Sequence, residues 1–590
     1  MHGKARMMKL YIGPYDSIKV GAKDVFAEWH YIPQGCNAEY MENEIENNQY
    51  NYIDAQHYVA RLCDRMISLA CVELNEIHEV SFDYNEWKLY YGTWLYDILF
   101  SIYNSYKKII NYANTECVAI IPYNDEQFTR CDMVEAIGKI VNDDFFHSNI
   151  YRQICTELGI PVEICANKKK NRSRERLYNF IHFPAIRKEY VSKLVSTKKE
   201  SKYTEDIVLP LLHDKKIILF KMRFSDAVKT ELLQNESICI IDENDIDKMQ
   251  HSLLERCDFT PYKKIGIFDK LIPENEFERI AKNIISCNLP IELLEGFKVL
   301  NSYAEIYCSE NSIKKIYSSA FVGQSCLASL IAIYMQRKGA VLYDVQHSAV
   351  YNINLGNRFC EQYVFEHFLT WGVKNENDDC HVKPVGITRL NYDVNPGGKE
   401  RKKGILLCSN PIEKYECGRN MLFAEYAEKH TVFLETLYPE KRKKIVTRIF
   451  ADDYKSSIYQ LYLHRFYNIR VQNVKDKSFF DAIEKAELVV ADSYGSTHIE
   501  AMAMNKPVIF FDGITMLVRD QEVDKLLAEL HEKRIYAFSP QEAATFVNEI
   551  SNVKEWWEAE DVQSVVQKYL DVCAHNYNNI AKTWKEEILI

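Results

Sequence analysis

Residues 488–511 read LVVADSYGSTHIEAMAMNKPVIFF, and the order of residue types in this stretch decides the fold class. Leu488, Val489 and Val490 form the continuous apolar run of a strand buried on both faces of a parallel sheet. Ser493 and then Gly495, Ser496 and Thr497 supply a small-residue turn at the start of a helix. Backbone N–H groups and the helix dipole favour an anion such as a phosphate there. Glu500 is expected within the first turn of that helix, where its carboxylate can accept from a ribose hydroxyl pair. Asn505, Lys506 and Pro507 close the helix, and Val508 to Phe511 is the next buried strand. Ser-rich turns are also ordinary helix caps, so the local pattern leaves a ligand turn and a purely structural turn both open.

At 590 residues the chain is too long for one core and divides into about two to four domains. Its net charge of −11 argues against a protein that coats nucleic acid. The 17 cysteines are scattered and none forms a CxxC pair, so neither a zinc site nor a thioredoxin-type site is expected. Scattered thiols suit a reducing compartment. The first residues lack the apolar core of a signal peptide, and no uncharged apolar run approaches the about 18 residues of a membrane span. A cytoplasmic protein is the expectation.

The predicted fold class is α/β, with two Rossmann-like domains facing a cleft and a mostly helical N-terminal extension over residues 1–200. In that extension Val59, Leu62, Met66 and Leu69 recur at helical steps. The segment 86–107 is rich in Trp and Tyr and reads as a core helix, with a sugar-stacking wall as the alternative. The basic run at 168–176, from Lys168 through Arg174, is a solvated loop or a contact with an anionic membrane surface, which would give peripheral membrane association. The polar stretch 196–204 is a linker. The acceptor-side domain is expected over 205–395, with strands at 216–220, 237–241, 305–308, 315–317 and 340–345 and a buried helix at 323–336. The charged, Gly-containing stretch 396–404 is a second linker. The donor domain, expected over 400–590 and ending in a C-terminal helix, has further strands at 404–408, 445–449 and 469–474. Open α/β sheets take ligands at the carboxyl ends of their strands, so two such halves imply a cleft.

Candidate chemistry follows from those strand ends. His347 lies just past the strand AVLYDV, where an imidazole can take a proton from an acceptor hydroxyl or merely hydrogen-bond its loop. Gln346 precedes it. Arg389, in Gly386-Ile387-Thr388-Arg389, suits a bidentate phosphate or carboxylate clamp, or an inter-domain ion pair. Arg448 ends its strand as a donor-phosphate contact or a surface arginine, and Ser409 and Asn410 end the strand GILLC where they can line the donor site. No GxxxxGK[ST], GxGxxG or HExxH occurs, so P-loop, dinucleotide-dehydrogenase and zincin chemistry fall away. The pairs Asp143-Asp144 and Asp452-Asp453 are read as solvated, and neither a metal nor a cofactor is expected.

The small-residue turn, Glu500 and Pro507-Val508 resemble the C-terminal domains of two-Rossmann (GT-B) glycosyltransferases, which implies donor phosphates on the turn and ribose on Glu500. A narrower resemblance covers nearly the whole chain. Leu74-Asn75, His78, Tyr84, Trp87 and Gly92-Thr93-Trp94-Leu95 are similar to the opening segment of the LIC12162 family of bacterial transferases, associated with surface carbohydrate synthesis. Gln346-His347, Thr370-Trp371-Gly372 and Trp556-Trp557 with Val562-Gln563 agree with it. The chain departs in having Ser348-Ala349 where that family has a Gly after Gln-His, and Gly-Thr-Trp-Leu for Gly-Pro-Trp-Leu. The resemblance implies transfer of a sugar from a nucleotide-sugar donor to a glycan or lipid-linked acceptor. A CDP-alditol phosphotransferase, a sugar-nucleotide 2-epimerase and a non-catalytic scaffold are the alternatives. Trp556, Trp557 and Trp584 are expected to pack across the domains.

Overall fold

The structure is a computed structural model. It describes residues 7–13, 20–21, 23–28, 31, 39–40, 49–122, 132–165, 209–210, 212, 214–255, 266–309, 311–319, 322–349, 356, 358–362, 364–374, 381–388, 404–409, 415, 417–418, 423–449, 465–466, 468–473, 478–511, 521–575 and 579–589. The basic run 168–176, both linkers apart from Gly404, Arg389, Asn410 and Asp452-Asp453 lie outside these residues.

Three parallel sheets organise the chain. The N-terminal region is mostly helical, as expected, and its short strands also assemble a sheet: β1 (Met8–Tyr11), β2 (Val25–Phe26), β3 (Glu39–Tyr40), β4 (Cys117–Ile121) and β5 (Val162–Ile164), in the order β3-β2-β1-β4-β5. Its helices are α1 (Gln49–His78), α2 (Tyr84–Ile110), α3 (Met133–Asn142) and α4 (Asp144–Glu157). Asp83 caps α2, accepting from the Glu86 N–H at 2.9 Å while Glu86 accepts from the Asp83 N–H at 2.7 Å. Asp143 caps α4, accepting from the Phe146 N–H at 2.8 Å, and Asp144 accepts from the Tyr415 hydroxyl. The acidic pair is therefore part of the framework, which corrects its reading as solvated.

The second sheet contains β6 (Ile217–Phe220), β7 (Ile238–Ile241), β8 (Lys315–Ser318), β9 (Val341–Val345), β10 (His367–Thr370) and β11 (Val382–Pro384), ordered β11-β10-β9-β8-β6-β7. Around it lie α5 (Glu243–Leu254), α6 (Phe297–Ser309) and α7 (Cys326–Arg337). The strand expected at 305–308 is instead the last turn of α6, whose Phe297, Leu300, Ala304 and Cys308 bury one helical stripe. The third sheet contains β12 (Ile405–Cys408), β13 (Ile445–Ile449), β14 (Arg470–Asn473), β15 (Leu488–Ala491), β16 (Val508–Phe511) and β17 (Tyr536–Ala537), ordered β14-β13-β12-β15-β16-β17. In order of appearance that is 3-2-1-4-5-6, the doubly wound order whose ligand crevice opens between the first and fourth strands. Flanking and following it are α8 (Phe423–Thr436), α9 (Ser496–Ala503), α10 (Glu560–Cys573) and α11 (Ile580–Leu589).

The last helix leaves the third sheet and packs on the second unit. Trp584 Nε1 donates to Ile387 O at 3.0 Å, and the Tyr317 hydroxyl donates to Glu587 O at 3.1 Å. Of the three tryptophans expected to bridge the domains, Trp584 hydrogen-bonds across to the second unit. Trp557 Nε1 donates to Asn505 Oδ1 and Trp556 Nε1 to Lys533 O, both beside the third sheet. No helix among the described residues is long and apolar enough to cross a membrane.

The first and second units meet at a buried carboxyl. Glu292 accepts the first amide of α3, from Met133, at 2.8 and 3.0 Å, and the Gln250 amide at 3.0 Å. Gln250 in turn accepts the Leu327 N–H of α7 at 2.9 Å. Burial pushes the Glu292 carboxyl up to about 8, against the opposing pull of the Met133 N–H. A raised acid favours the fold while it keeps its proton, fully below the unfolded value, and loses that contribution as pH rises through the folded one. Glu292→Gln should therefore gain stability over the parent between about pH 5 and 8 and hold a constant margin above it. Denaturant unfolding at a series of pH values measures the difference; a margin that does not change with pH would show that Glu292 is buried ionised.

Candidate functional site

The carboxyl edge of the third sheet gathers most of the residues expected at the donor site. Ser409 follows β12 and the Asp492–Ser493 turn follows β15, so these two flank the crevice between the first and fourth strands. Arg448 lies in β13 beside them, and the Ser409 N–H donates to Arg448 O at 3.0 Å. Arg448, Asp492 and Glu500 all act on the Cys408 thiol, which burial pushes up to about 12, so three charged groups converge on the end of β12. The Ser409 hydroxyl is buried with no hydrogen-bond partner among the described residues. A buried hydroxyl with nothing to bond is an opening for a ligand atom or a water.

The turn itself is built as the sequence suggests, with one shift. α9 begins at Ser496, so Glu500 is its fifth residue and lies one turn in, not in the first turn. It is buried, with 3% of its surface exposed. Ser496 and Thr497 are partly exposed, and as first-turn residues their N–H groups have no acceptor within the helix. The Gly495 N–H is already engaged, donating to His498 Nδ1 at 3.4 Å. Because Nδ1 accepts, the proton of neutral His498 sits on Nε2, which donates to the Tyr569 hydroxyl at 2.8 Å; Tyr569 then donates to Tyr494 at 3.4 Å. Burial holds His498 down to about 3, and its ring stacks on Phe510 at 4.0 Å. His498 thus ties the turn to α10, a role that a histidine at helix position three did not announce in sequence. Asp492 is braced from α8: His430 Nδ1 lies 2.8 Å away and the Tyr426 hydroxyl donates to it.

On the second sheet, His347 stands two residues past β9 and is partly exposed. Gln346, expected as a clamp, uses its amide to brace this loop. Its Oε1 accepts the Trp371 N–H at 2.8 Å and its Nε2 donates to Ser348 O at 2.9 Å, while Trp371 Nε1 donates to Gln346 O at 2.7 Å. Gly372 is required by close approach: a Cβ there would lie 2.0 Å from Val572 O. The His575 N–H donates to Trp371 O at 2.8 Å. The motifs Gln346-His347 and Thr370-Trp371-Gly372 therefore hold one another and the end of α10.

The two edges meet. Gln346, Ala349 and Val373 of the second unit wall a small cavity together with Tyr494, Ile499, Val523 and Cys573 of the third. The loop that holds His347 and the turn that ends at Glu500 thus adjoin. The early motif plays another part. Asn75 Oδ1 accepts from the Phe82 N–H and Trp87 Nε1, both at 3.0 Å, closing the α1–α2 hairpin. His78, lowered to about 4 by burial, stacks on Phe297 at 4.1 Å and donates from Nε2 to Leu293 O at 2.9 Å. Those residues dock the first unit on the second.

The model of the LIC12162 family of transferases matches residues 28–588 of the chain. Among solved structures, MurG of Acinetobacter baumannii is similar over 64% of this chain and 99% of its own, at 12% identity and a TM-score of 0.35. The spinosyn rhamnosyltransferase SpnG complexed with thymidine diphosphate is similar over 63% and 100%, at 10% identity and a TM-score of 0.31. A UDP-N-acetylglucosamine 2-epimerase is similar over 64% and 95%, at 11% identity and a TM-score of 0.31. Such scores describe loose likenesses, and the fold assignment rests on the sheets themselves. No curated protein matches the chain.

His498→Ala should lower stability by about 2–4 kcal/mol, because it empties a buried ring site and strands the Gly495 N–H. Chemical denaturation measures this, and an unchanged midpoint would remove His498 from the support of the turn.

Proposed function

The chain belongs to the LIC12162 family of transferases, and from that premise we propose that it moves a sugar from a nucleotide-sugar donor to a surface-glycan or lipid-linked acceptor. The observation that carries this reading is the adjacency of the two sheet edges: Gln346 and Ala349, which flank His347 and Ser348, wall one small cavity with Tyr494 and Ile499 of the turn that ends at Glu500. In this proposal the donor phosphates lie at the Ser496 and Thr497 amides, beside the Ser409 hydroxyl and Arg448, and the ribose hydroxyls reach Glu500. Preorganised N–H groups and a guanidinium offset the charge that develops on the departing phosphate, and no metal is required. His347 accepts the proton of the acceptor hydroxyl as the bond to the anomeric carbon forms. Asn410 at the donor site and Arg389 as an acceptor or phosphate clamp, both outside the described residues, belong to the same reading. The reaction takes place at the cytoplasmic face of the membrane, where a lipid-linked acceptor is accessible.

A thermal-shift screen against UDP-, GDP-, CMP- and CDP-linked sugars tests the donor half. A donor at about a hundred times its Kd stabilises the fold by about 2.7 kcal/mol and raises the Tm accordingly. No response to any nucleotide would rule the reading out, and a response to a CDP-alditol alone would favour phosphotransfer. Glu500→Ala should remove the shift that the parent shows, with far-ultraviolet dichroism checking that the variant is folded. His347→Ala should keep the shift and lose turnover by about 10²–10⁴-fold; retained turnover would dismiss it as the base. Turnover should also persist in EDTA.

A further inference from the structure

We propose that Tyr426 and His430 are positioning residues for this transfer reaction. They hold the Asp492 carboxylate against α8, and so keep the neighbouring Ser409 hydroxyl open to a phosphate of the donor. The proposal rests on the reading of the β12–β15 edge as the donor site, whereas the contacts that suggest it are independent of that reading.

Asp492 and Ser409 are neighbours across the crevice. Ala491 pairs with Cys408 in the parallel register of β15 and β12, so the next residues, Asp492 and Ser409, stand side by side. Adjacent strands lie about 4.8 Å apart. The ladder continues past the strand ends, since the Asp492 N–H donates to Cys408 O at 3.4 Å and the Ser409 N–H to Arg448 O at 3.0 Å. Side chains alternate between faces along a strand. Asp492 therefore shares a face with Leu488 and Val490, and Ser409 shares the same face with Ile405 and Leu407. These four apolar residues belong to one core with Tyr426, Phe433 and Leu434 of α8, so α8 covers that face. Val489 and Ala491, on the opposite face, share a core with Ile499 of α9. The crevice thus lies between two helices, with α9 presenting its first amides from one side and α8 facing an acid and a hydroxyl on the other.

A carboxylate in that place works against an anion site. It repels a phosphate, and it competes for the proton of the hydroxyl beside it. Two residues of α8 remove both effects. Tyr426 and His430 are four residues apart, on one face of the helix, and both reach Asp492 Oδ2. The Tyr426 hydroxyl donates to it, and His430 Nδ1 donates from 2.8 Å. An ionised carboxylate only accepts, which places the proton of the second bond on Nδ1. All three side chains are buried, at 1% exposure or less. The helix that carries the two donors is held in turn, with Phe433 stacked on Phe511 of β16 at 5.3 Å. The Ser409 hydroxyl, one strand away, has no hydrogen-bond partner among the described residues. The engaged acid and the unsatisfied hydroxyl are two sides of one arrangement.

The test uses the full chain and whichever of UDP, GDP and CDP stabilises the parent best. Tyr426→Phe and His430→Phe, singly and together, delete the hydrogen bonds and keep a ring at each position. Titration calorimetry at a temperature where the variants are folded should give a Kd raised about threefold in each single variant and about tenfold in the double variant. Adding Asp492→Asn to the double variant removes the charge and should return the Kd to within about twofold of the parent. A lowered Tm with an unaltered Kd would reduce the two residues to structural contacts and overturn the proposal. A weakened Kd that Asp492→Asn does not restore would overturn it too. If the parent binds none of these nucleotides, the donor-site reading fails and the proposal falls with it; a parent and a double variant that bind equally well overturn the proposal alone.

Discussion

A helix buried around its whole circumference needs neighbours on every side, and α2 is such a helix. From Trp87 to Ile109 it turns aromatic, aliphatic and polar residues alike into the interior. Its neighbours come from all three units. The Ser329 hydroxyl of α7 donates to Leu89 O at 3.2 Å, and Tyr90 donates to Glu292 O at 2.9 Å. Phe359 stacks on Tyr96 at 5.2 Å, and Gly418 seats against Tyr96 and Phe100. Exposing any side of this helix would return large apolar surfaces to water, at about 25 cal/mol for each Å². The relative placement of the three sheets is therefore a consequence of covering α2, and the cleft is what remains between their carboxyl edges.

One connection carries that placement to the donor turn. The turn is tied through His498 to Tyr569 on α10, whose end meets Trp371 through the His575 N–H. The same Trp371 is hydrogen-bonded to Gln346 beside His347. A path of hydrogen bonds and ring contacts thus joins the proposed donor turn to the proposed base. Preorganisation of this kind matters because a misplacement of about 1 Å at a reacting centre can cost about a hundredfold in rate.

Much of this was legible in the sequence, for physical reasons. Several strands of the second and third sheets are buried on both faces, so IILF, LVVA and VIFF stand out as apolar runs between small or charged residues. The strands of the first sheet run to two to five residues and carry little such signal. The segment Glu305-Ile306-Tyr307-Cys308 misleads because its residue types favour strands, while its burial follows the helical spacing of Leu300, Ala304 and Cys308. At the site, the turn, Ser409 and Arg448 were readable as strand ends. Tyr426 and His430 were not, because Asp492 lies 66 and 62 residues away from them. The motifs that marked the family, Leu74-Asn75 with His78 and Trp87, and Thr370-Trp371-Gly372, brace the units and the His347 loop. Residues that hold a site can be as diagnostic of a family as those that act in it.

The central claim is that the carboxyl edge between β12 and β15 receives a nucleoside diphosphate. The most direct measurement is a crystal structure of the full chain soaked with the nucleoside diphosphate that stabilises it best. The account expects the phosphates within hydrogen-bond distance of the Ser496 and Thr497 amides, with the ribose at Glu500. Density for the nucleotide between β1 and β4 of the first sheet would contradict it.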